Sequence, residues 1–259
     1  MGGLFLAPIR WLGATAIATL RTGAEVFSLF YGAFAVIILA RLRGFRIVVE
    51  VTIQQTLFTG VHALPLVSLA SLALGSLIIS QVQSLAGGVI NTADIAAHVF
   101  AVEVLPLVVA LIILGRSGTA ICVELANMKL SGELDALRSM GVALEHVIVL
   151  PRLLAGLISG VLLTIYGFAV GLAGGYWLVK SVGSLPFAME ALLNAVREEE
   201  LIKTLVKVCF FAVGIVLVSI REGYSVQASA REVPQATTRA VVRSMALVFV
   251  LNTMISVFL

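Results

Sequence analysis

Three charged residues fall within or at the start of long apolar runs: Glu103, Lys207 and Arg239. A charge inside a membrane-crossing helix is costly, so it usually faces a bundle interior or a cavity. Glu103 and Lys207 lie towards the same membrane surface in the topology below, so the two can form an ion pair. Arg239 can pair or can extend its guanidinium to the membrane surface. Each of the three charges can therefore be explained by structure or by function. In the functional explanation, Glu103 would serve as an ion or proton site.

The motifs of common soluble enzymes are missing from the sequence. It contains no H-E-x-x-H, no G-x-S-x-G and no C-x-x-C pattern. The nearest approach to a phosphate-binding loop, residues 175–181, lacks the second glycine that such a loop needs. The histidines, His62, His98 and His146, are far apart in the chain. We therefore predict no catalytic residue, no bound cofactor and no metal site.

The composition predicts a membrane protein. Of the 259 residues, 60% are hydrophobic and 12% are charged, whereas soluble domains carry about 25% charge. About 20 consecutive apolar residues are needed to cross a bilayer as a helix. The apolar runs are continuous and do not alternate with polar residues, which excludes a β-barrel. The basic excess is explained by membrane topology and is weak evidence for nucleic-acid binding.

The sequence predicts an all-α polytopic fold with five transmembrane helices. Their predicted limits are Ile53–Ser84, Ile95–Leu114, Val147–Val179, Leu201–Ile220 and Arg239–Leu259. Pro65 should kink the first helix, because proline removes a helical hydrogen bond. The third carries glycines at small-xxx-small spacing, which favours close packing between helices.

The sequence predicts that the N-terminal residues 1–50 form a segment distinct from a transmembrane domain at 51–259. Residues 4–20 predict an amphipathic helix in the membrane interface, with a helix packed in a protein core as the alternative. The apolar run at 27–40 is too short for an ordinary crossing and favours an elbow or partly inserted segment. Whether it crosses the membrane is left open.

The basic residues predict the orientation of the helices. All but four of the 17 Lys and Arg fall on one side of the predicted topology, and basic loops stay in the cytoplasm. This puts the N-terminus inside and the C-terminus outside, with residues 86–94 and 180–200 external. Residues 115–118 should mark the inner end of the second helix, and 221–238 should be a cytoplasmic loop. A short external helix is expected near 187–196.

A charged stretch, residues 124–146, separates the second and third predicted membrane helices. Ser131 is a candidate N-cap, and Glu133 and Asp135 would follow in the first turn, where the helix dipole favours acids. Gly141 is suited to end the helix. The sequence thus predicts a short amphipathic helix at the cytoplasmic surface.

The apolar side of this predicted helix is the set Leu130, Leu134, Leu137 and Met140. It needs cover, which a docking protein could supply. Asp135–Leu137, Gly141 and Ile148–Pro151 together resemble the coupling motif of ABC-transporter permeases.

A wider pattern resembles one family of such permeases. It comprises Glu103-x-x-Pro106, LVVALIILGRSGTAICVEL (107–125), GELDALRSMGV (132–142), LPRLLAG (150–156) and ATTRAVVRS (236–244). These segments are similar to the MlaE/YrbE permeases, the membrane subunits of MCE-associated ABC lipid transporters. The resemblance extends from about residue 50 to the C-terminus.

The resemblance implies a homodimeric subunit of a bacterial inner-membrane lipid transporter, although a heterodimer with a paralogue stays open. A cytoplasmic ABC ATPase, which holds the ATP and Mg, would bind the helix at 131–141. An MCE-domain protein would carry lipid on the outer side, and a small cytoplasmic accessory subunit could join them. The residues implied for ATPase coupling are Glu133, Leu134, Asp135, Leu137, Arg138 and Met140. Those implied for a lipid cavity at the dimer interface are Gly75, Ile79, Val82, Gln83 and Ala86.

Two other function classes fit a polytopic chain. A secondary transporter of a small amphipathic solute would use Glu103 as its ion or proton site and would favour inverted repeats, of which the sequence shows no convincing example. A membrane scaffold without transport activity is the third class. Dependence on a proton gradient without ATP would identify the secondary transporter, and copurification of an ATPase would argue against the scaffold.

Overall fold

The computed structural model describes residues 45–85, 98–182, 198–227 and 229–258, and within these ranges the regular structure is entirely helical. We label the helices α1 (Phe45–Thr59), α2 (Leu64–Leu85), α3 (Val99–Leu130), α4 (Glu133–Ser139), α5 (Leu150–Val182), α6 (Glu198–Ser225) and α7 (Glu232–Phe258). The predicted segments at 4–20, 27–40, 86–94 and 187–196 lie outside the described residues.

Five segments of the described chain are long and apolar enough to cross a membrane. They are Val48–Ile78, Val99–Leu130, Glu145–Gly174, Leu201–Ser225 and Glu232–Phe258. The predicted all-α fold with five transmembrane helices is therefore confirmed. Helix α4 lies between the second and third segments, where the sequence predicts a short helix.

The first membrane segment is broken near its middle. Helix α1 ends at Thr59, a 3-10 turn covers Val61–Ala63, and α2 begins at Leu64. Pro65 lies in the first turn of α2, where its missing N–H and its ring interrupt the regular hydrogen-bond pattern. The kink is where the sequence predicts it, but the chain is already helical from Phe45, before the predicted limit at Ile53.

Helix α3 passes through the glycines that were expected to end it. It continues to Leu130, with a π-helical turn at Leu114–Gly118. Gly118 lies so close to α6 that an added Cβ would be 3.0 Å from the Ser219 hydroxyl oxygen. The absence of a side chain thus allows tight packing here, and the prediction of a helix end at 115–118 was wrong.

The predicted cytoplasmic loop at 221–238 is also much shorter than expected. Helix α6 extends to Ser225 and α7 starts at Glu232, so only residues 226–231 connect the two helices. Two charges of the expected loop, Arg221 and Glu222, are instead paired with each other within α6, and Glu222 also pairs with Arg239 of α7. A charged residue can remain in a packed helix when such partners are available.

Helix α6 lies at the centre of the bundle, in contact with α3, α5 and α7. Helices α1 and α2 pack on the other side of α5, where Gly75 meets Gly171 so closely that a Cβ on Gly75 would lie 2.3 Å from the Gly171 carbonyl oxygen. Gly156 and Gly160 similarly admit valine side chains of α6. The predicted role of the small-residue stripe in helix packing is confirmed.

Candidate functional site

Helix α4 is delimited by two glycines with a left-handed backbone. Gly132 (φ +78°) follows the end of α3, and its N–H donates to the Lys129 carbonyl at 3.1 Å. Gly141 (φ +73°) follows α4, where its N–H donates to the Arg138 carbonyl and that of Val142 to the Leu137 carbonyl. Since glycine adopts positive φ without steric cost, the two residues fix the ends of a rigid short helix.

The sequence predicts Ser131 as the N-cap of α4, but Ser131 does not occupy that position. The N-cap position belongs to Gly132, which has no side chain to donate or accept a hydrogen bond. The Ser131 hydroxyl instead donates to the Glu133 carboxylate at 2.8 Å. The turn from α3 to α4 requires a left-handed residue at position 132, so the start of α4 falls one residue later than a serine cap would place it.

The two faces of α4 have different environments. Leu134 is 4% exposed, and Leu137 packs against the same apolar cluster formed by α3, α5 and α6. Glu133, Asp135 and Arg138 are exposed. The chain itself therefore covers Leu134 and Leu137, so most of the cover that this apolar face needs comes from its own helices.

Met140 is the exception on the apolar side of α4, since it is 68% exposed. It lies next to the charged outer face of the helix and adds a flexible apolar side chain to it. A methionine in this setting is well suited to contact a protein surface, because its unbranched side chain adapts to irregular partners. The surface offered by α4 consists of acidic and basic groups around one apolar contact.

Two interactions fix the helix ends next to α4. The Arg152 guanidinium of α5 is 2.8 Å from the Glu124 carboxylate of α3, and it also donates to the Ile148 carbonyl. The Lys129 ammonium, near the end of α3, donates to the Tyr224 carbonyl of α6 at 2.5 Å. These contacts hold α3, α5 and α6 together beside α4.

The predicted Glu103–Lys207 pair is present at the opposite end of the bundle. The Lys207 ammonium is 2.6 Å from the Glu103 carboxylate and also donates to the Val102 carbonyl and the Ser256 hydroxyl. Ser256 and Asn252 of α7 donate to the same carboxylate. The Lys207 side chain is only 2% exposed. The network joins α3, α6 and α7 and explains both charges structurally.

Arg239 is part of a second ionic cluster, near the end of the bundle that carries α4. Its Nε lies 3.2 Å from the carboxylate of Glu222, a side chain that is 1% exposed. Arg221 contacts the same carboxylate at 2.5 Å, and Arg243 contacts it as well. Of the two structural explanations for Arg239, the ion pair is the one observed.

Sequence reasoning missed Glu222 because it was assigned to a loop. The available signal was the spacing of Arg239 and Arg243, which are four residues apart and so share one face of a helix. Two arginines on one helix face at the edge of an apolar bundle call for an acidic partner on a neighbouring helix.

Arg116 is a further residue whose role the sequence did not reveal. Its guanidinium donates to the His62 carbonyl at 2.7 Å and lies 5.1 Å from the centre of the Phe58 ring. His62 belongs to the 3-10 turn that interrupts the first membrane segment. Arg116 thus satisfies a backbone group at the helix break.

The structure places the predicted lipid-cavity residues only in part. Gly75 is buried in its contact with Gly171, so it serves helix packing within the chain. Ile79, Val82 and Gln83 belong to α2, but the structure does not describe their side chains. Ala86 lies outside the described residues. The part of α2 that precedes them exposes Leu69 and other large apolar side chains. The cavity stays a prediction.

Comparison with known proteins identifies relatives across most of the chain. Residues 52–258 match the family model described as "Permease MlaE". A probable ABC transporter permease protein of Rickettsia typhi is 31% identical over 212 residues, which cover 78% of this chain and 80% of the relative. The intermembrane phospholipid transport system permease protein MlaE of Haemophilus influenzae is 30% identical over 197 residues, 71% of this chain and 74% of the relative.

A plant protein is also similar. The chloroplastic protein TRIGALACTOSYLDIACYLGLYCEROL 1 of Arabidopsis thaliana is 28% identical over 166 residues, which cover 63% of this chain and 47% of the relative.

Proposed function

Because this chain belongs to the permease MlaE family, we propose that it is the membrane subunit of an ABC transporter that moves phospholipid or a similar lipid. The name of the Haemophilus influenzae relative refers to intermembrane phospholipid transport, which supports this substrate class. The subunit would lie in the bacterial inner membrane and exchange lipid with an MCE-domain protein on the outer side. ATP would be hydrolysed on a separate partner chain.

The arrangement of α4 is the observation that carries the proposal. Leu134 anchors the helix in the chain's own core, while Glu133, Asp135, Arg138 and Met140 point away from it. Such a helix is rigidly attached to the bundle and yet presents a polar surface with one apolar contact. A docking ATPase would use this outward face, and Leu134 and Leu137 would transmit its motion.

The contacts beside α4 supply a route for that motion into the membrane. The Arg152–Glu124 pair joins α5 to α3, and the Lys129–Tyr224 hydrogen bond joins α3 to α6. Closure of a nucleotide-bound ATPase dimer would therefore shift several membrane helices as a unit. The cavity reshaped by this shift would lie between two copies of the chain, against the exposed apolar side of α2.

The geometry around Glu103 favours a structural role over the proton site of a secondary transporter. Its carboxylate accepts hydrogen bonds from Lys207, Ser256 and Asn252. Each of these groups stabilises the ionised carboxylate, which opposes the uptake of a proton during a transport cycle. We therefore assign Glu103 and Lys207 to holding α3, α6 and α7 together.

A charge reversal on the outer face of α4 tests the proposal. In the complete transporter, Asp135→Lys combined with Arg138→Glu should lower lipid-stimulated ATP hydrolysis at least about tenfold, because two complementary contacts become repulsive. Both side chains are exposed, so the thermal unfolding temperature of the permease should not change. Glu145→Lys with Arg231→Glu is the matched control: it reverses two exposed charges outside α4 and should retain activity. Full activity of the α4 variant would contradict the assignment.

A further inference from the structure

The Glu222 cluster carries more positive charge than its acid can neutralise. Three guanidinium groups, those of Arg221, Arg239 and Arg243, surround the single Glu222 carboxylate. An ion-pair network that served only to bury Glu222 would need one basic partner, as Glu103 has in Lys207. The cluster therefore retains a formal charge of about +2 at the membrane edge of the bundle.

Two of these arginines are available to a further ligand. The Arg239 and Arg243 side chains are 43% and 39% exposed, whereas Glu222 is 1% exposed. Arg239 bonds to protein groups through Nε and Nη2, and Arg243 through Nη1. Each guanidinium offers five N–H donors, so several have no partner among the described residues. Since both arginines contact one carboxylate, their guanidinium groups lie close to each other.

An apolar stripe on α7 continues from the arginine pair along the helix. Residues at spacings of three or four share a helix face, and Ala246, Val250, Thr253 and Val257 follow Arg243 at these spacings. All four are exposed, Val257 by 75%. The polar member is Thr253, whose hydroxyl donates to the Phe249 carbonyl of the same helix. A cationic end followed by an apolar track matches the two parts of a lipid, a headgroup and an acyl chain.

We propose that Arg239 and Arg243 bind the phosphate of an anionic phospholipid whose acyl chain lies along α7. Glu222 neutralises part of the positive charge of the two guanidinium groups and occupies some of their donors. The donors that remain suit a phosphate, because arginine binds phosphate in a bidentate geometry. The ligand is a lipid of the surrounding leaflet and not a free phosphate, because the apolar stripe adjoins the cationic groups. The inference does not depend on lipid transport or on a partner ATPase.

Native mass spectrometry of the purified full chain in detergent can test this site. The chain would be titrated with phosphatidylglycerol or with phosphatidylcholine, and bound lipids would be counted. The test variant is Glu222→Gln/Arg239→Gln/Arg243→Gln, which removes both arginines without leaving a buried carboxylate unpaired. The control is Arg231→Gln, an exposed arginine of the α6–α7 connection, because both variants lower the net charge by one.

We expect the wild type and the control to retain phosphatidylglycerol in preference to phosphatidylcholine. The triple variant should lose this preference by about tenfold, since each basic group near an anionic lipid contributes about fivefold and the loss of Glu222 offsets part of the effect. Equal loss in the control, or an unchanged preference in the triple variant, would overturn the site. Displacement of the lipid by equimolar inorganic phosphate would overturn the lipid as the ligand.

Glu222→Gln alone provides a second, independent arm if the triple variant fails to fold. Removing the competing carboxylate frees the arginines for the lipid, so retention of phosphatidylglycerol should rise. A decrease, or no change, would show that the arginines serve only Glu222.

Discussion

The two ion-paired carboxylates Glu103 and Glu222, which belong to the membrane segments, are satisfied in different ways. Glu103 pairs with one lysine and accepts further hydrogen bonds from Ser256 and Asn252, so its network is neutral and closed. Glu222 pairs with three arginines, two of which are about 40% exposed. At the first site the buried charged residue is Lys207, and at the second site it is Glu222.

This difference shows which ionic group fixes the bundle and which can take part in binding. At the first site, the loss of Glu103 leaves the Lys207 ammonium, whose side chain is only 2% exposed, without a counter-ion. At the second, the arginines can turn towards water or a headgroup when Glu222 or a neighbour is lost. A neutral, closed network is suited to holding helices together, and a cationic, open one to recognition.

The largest effect is expected at the closed network. Glu103→Gln leaves the Lys207 ammonium buried without a counter-ion, which should lower the free energy of unfolding by about 3 kcal/mol. Unfolding by SDS in mixed micelles would measure this change. The double variant Glu103→Gln/Lys207→Met should be more stable than Glu103→Gln alone, because it also removes the stranded charge. If the double variant is the less stable of the two, the pair does not act as described.

An intermediate effect is expected at Arg116, a cation held by the His62 carbonyl and the Phe58 ring, with no carboxylate in contact among the described residues. Arg116→Leu leaves the His62 carbonyl unsatisfied and removes the contact with Phe58, at a cost of about 1–2 kcal/mol. The same SDS titration would report it. Arg116→Lys keeps the charge but not the planar geometry, so it should recover part of the lost free energy of unfolding. If Arg116→Lys is as unstable as Arg116→Leu, the charge of Arg116 does not contribute to stability.

The smallest effect is expected at the open cluster. Arg243→Gln leaves Glu222 with two arginines, so the free energy of unfolding should fall by less than about 1 kcal/mol. In parallel titrations, the decrease in the free energy of unfolding caused by Arg243→Gln should be well below that caused by Glu103→Gln. A cost equal to that of Glu103→Gln would remove the distinction between the two sites.

The sequence predicted the number and order of the membrane helices because apolar runs of crossing length are a local property. It could not give their limits where distant contacts decide them. Helix α3 continues through Gly115 and Gly118 because Gly118 packs against α6, and α6 includes Glu222 because arginines of α7 neutralise it. Local charge and glycine content favoured loops at both places, and tertiary contacts overrode them.

The same reasoning explains the result for α4. The spacing of Leu134 and Leu137 correctly indicated an amphipathic helix, but spacing alone does not show what covers the apolar face. The structure shows that the chain's own helices cover it and that Met140 stays exposed. The coupling surface that we propose is therefore the charged face, which the hydrophobic pattern could not distinguish from ordinary solvent exposure.

Labelling of a single cysteine at position 140 tests the central claim most directly. Met140→Cys would be introduced into a chain in which Cys122 and Cys209 are replaced by alanine, and treated with a membrane-impermeant maleimide. We expect labelling from the cytoplasmic side alone, in inside-out vesicles, and protection when the partner ATPase is bound. Labelling from the outer side, or equal labelling with and without the ATPase, would contradict the proposal that α4 receives the motion of an ATPase.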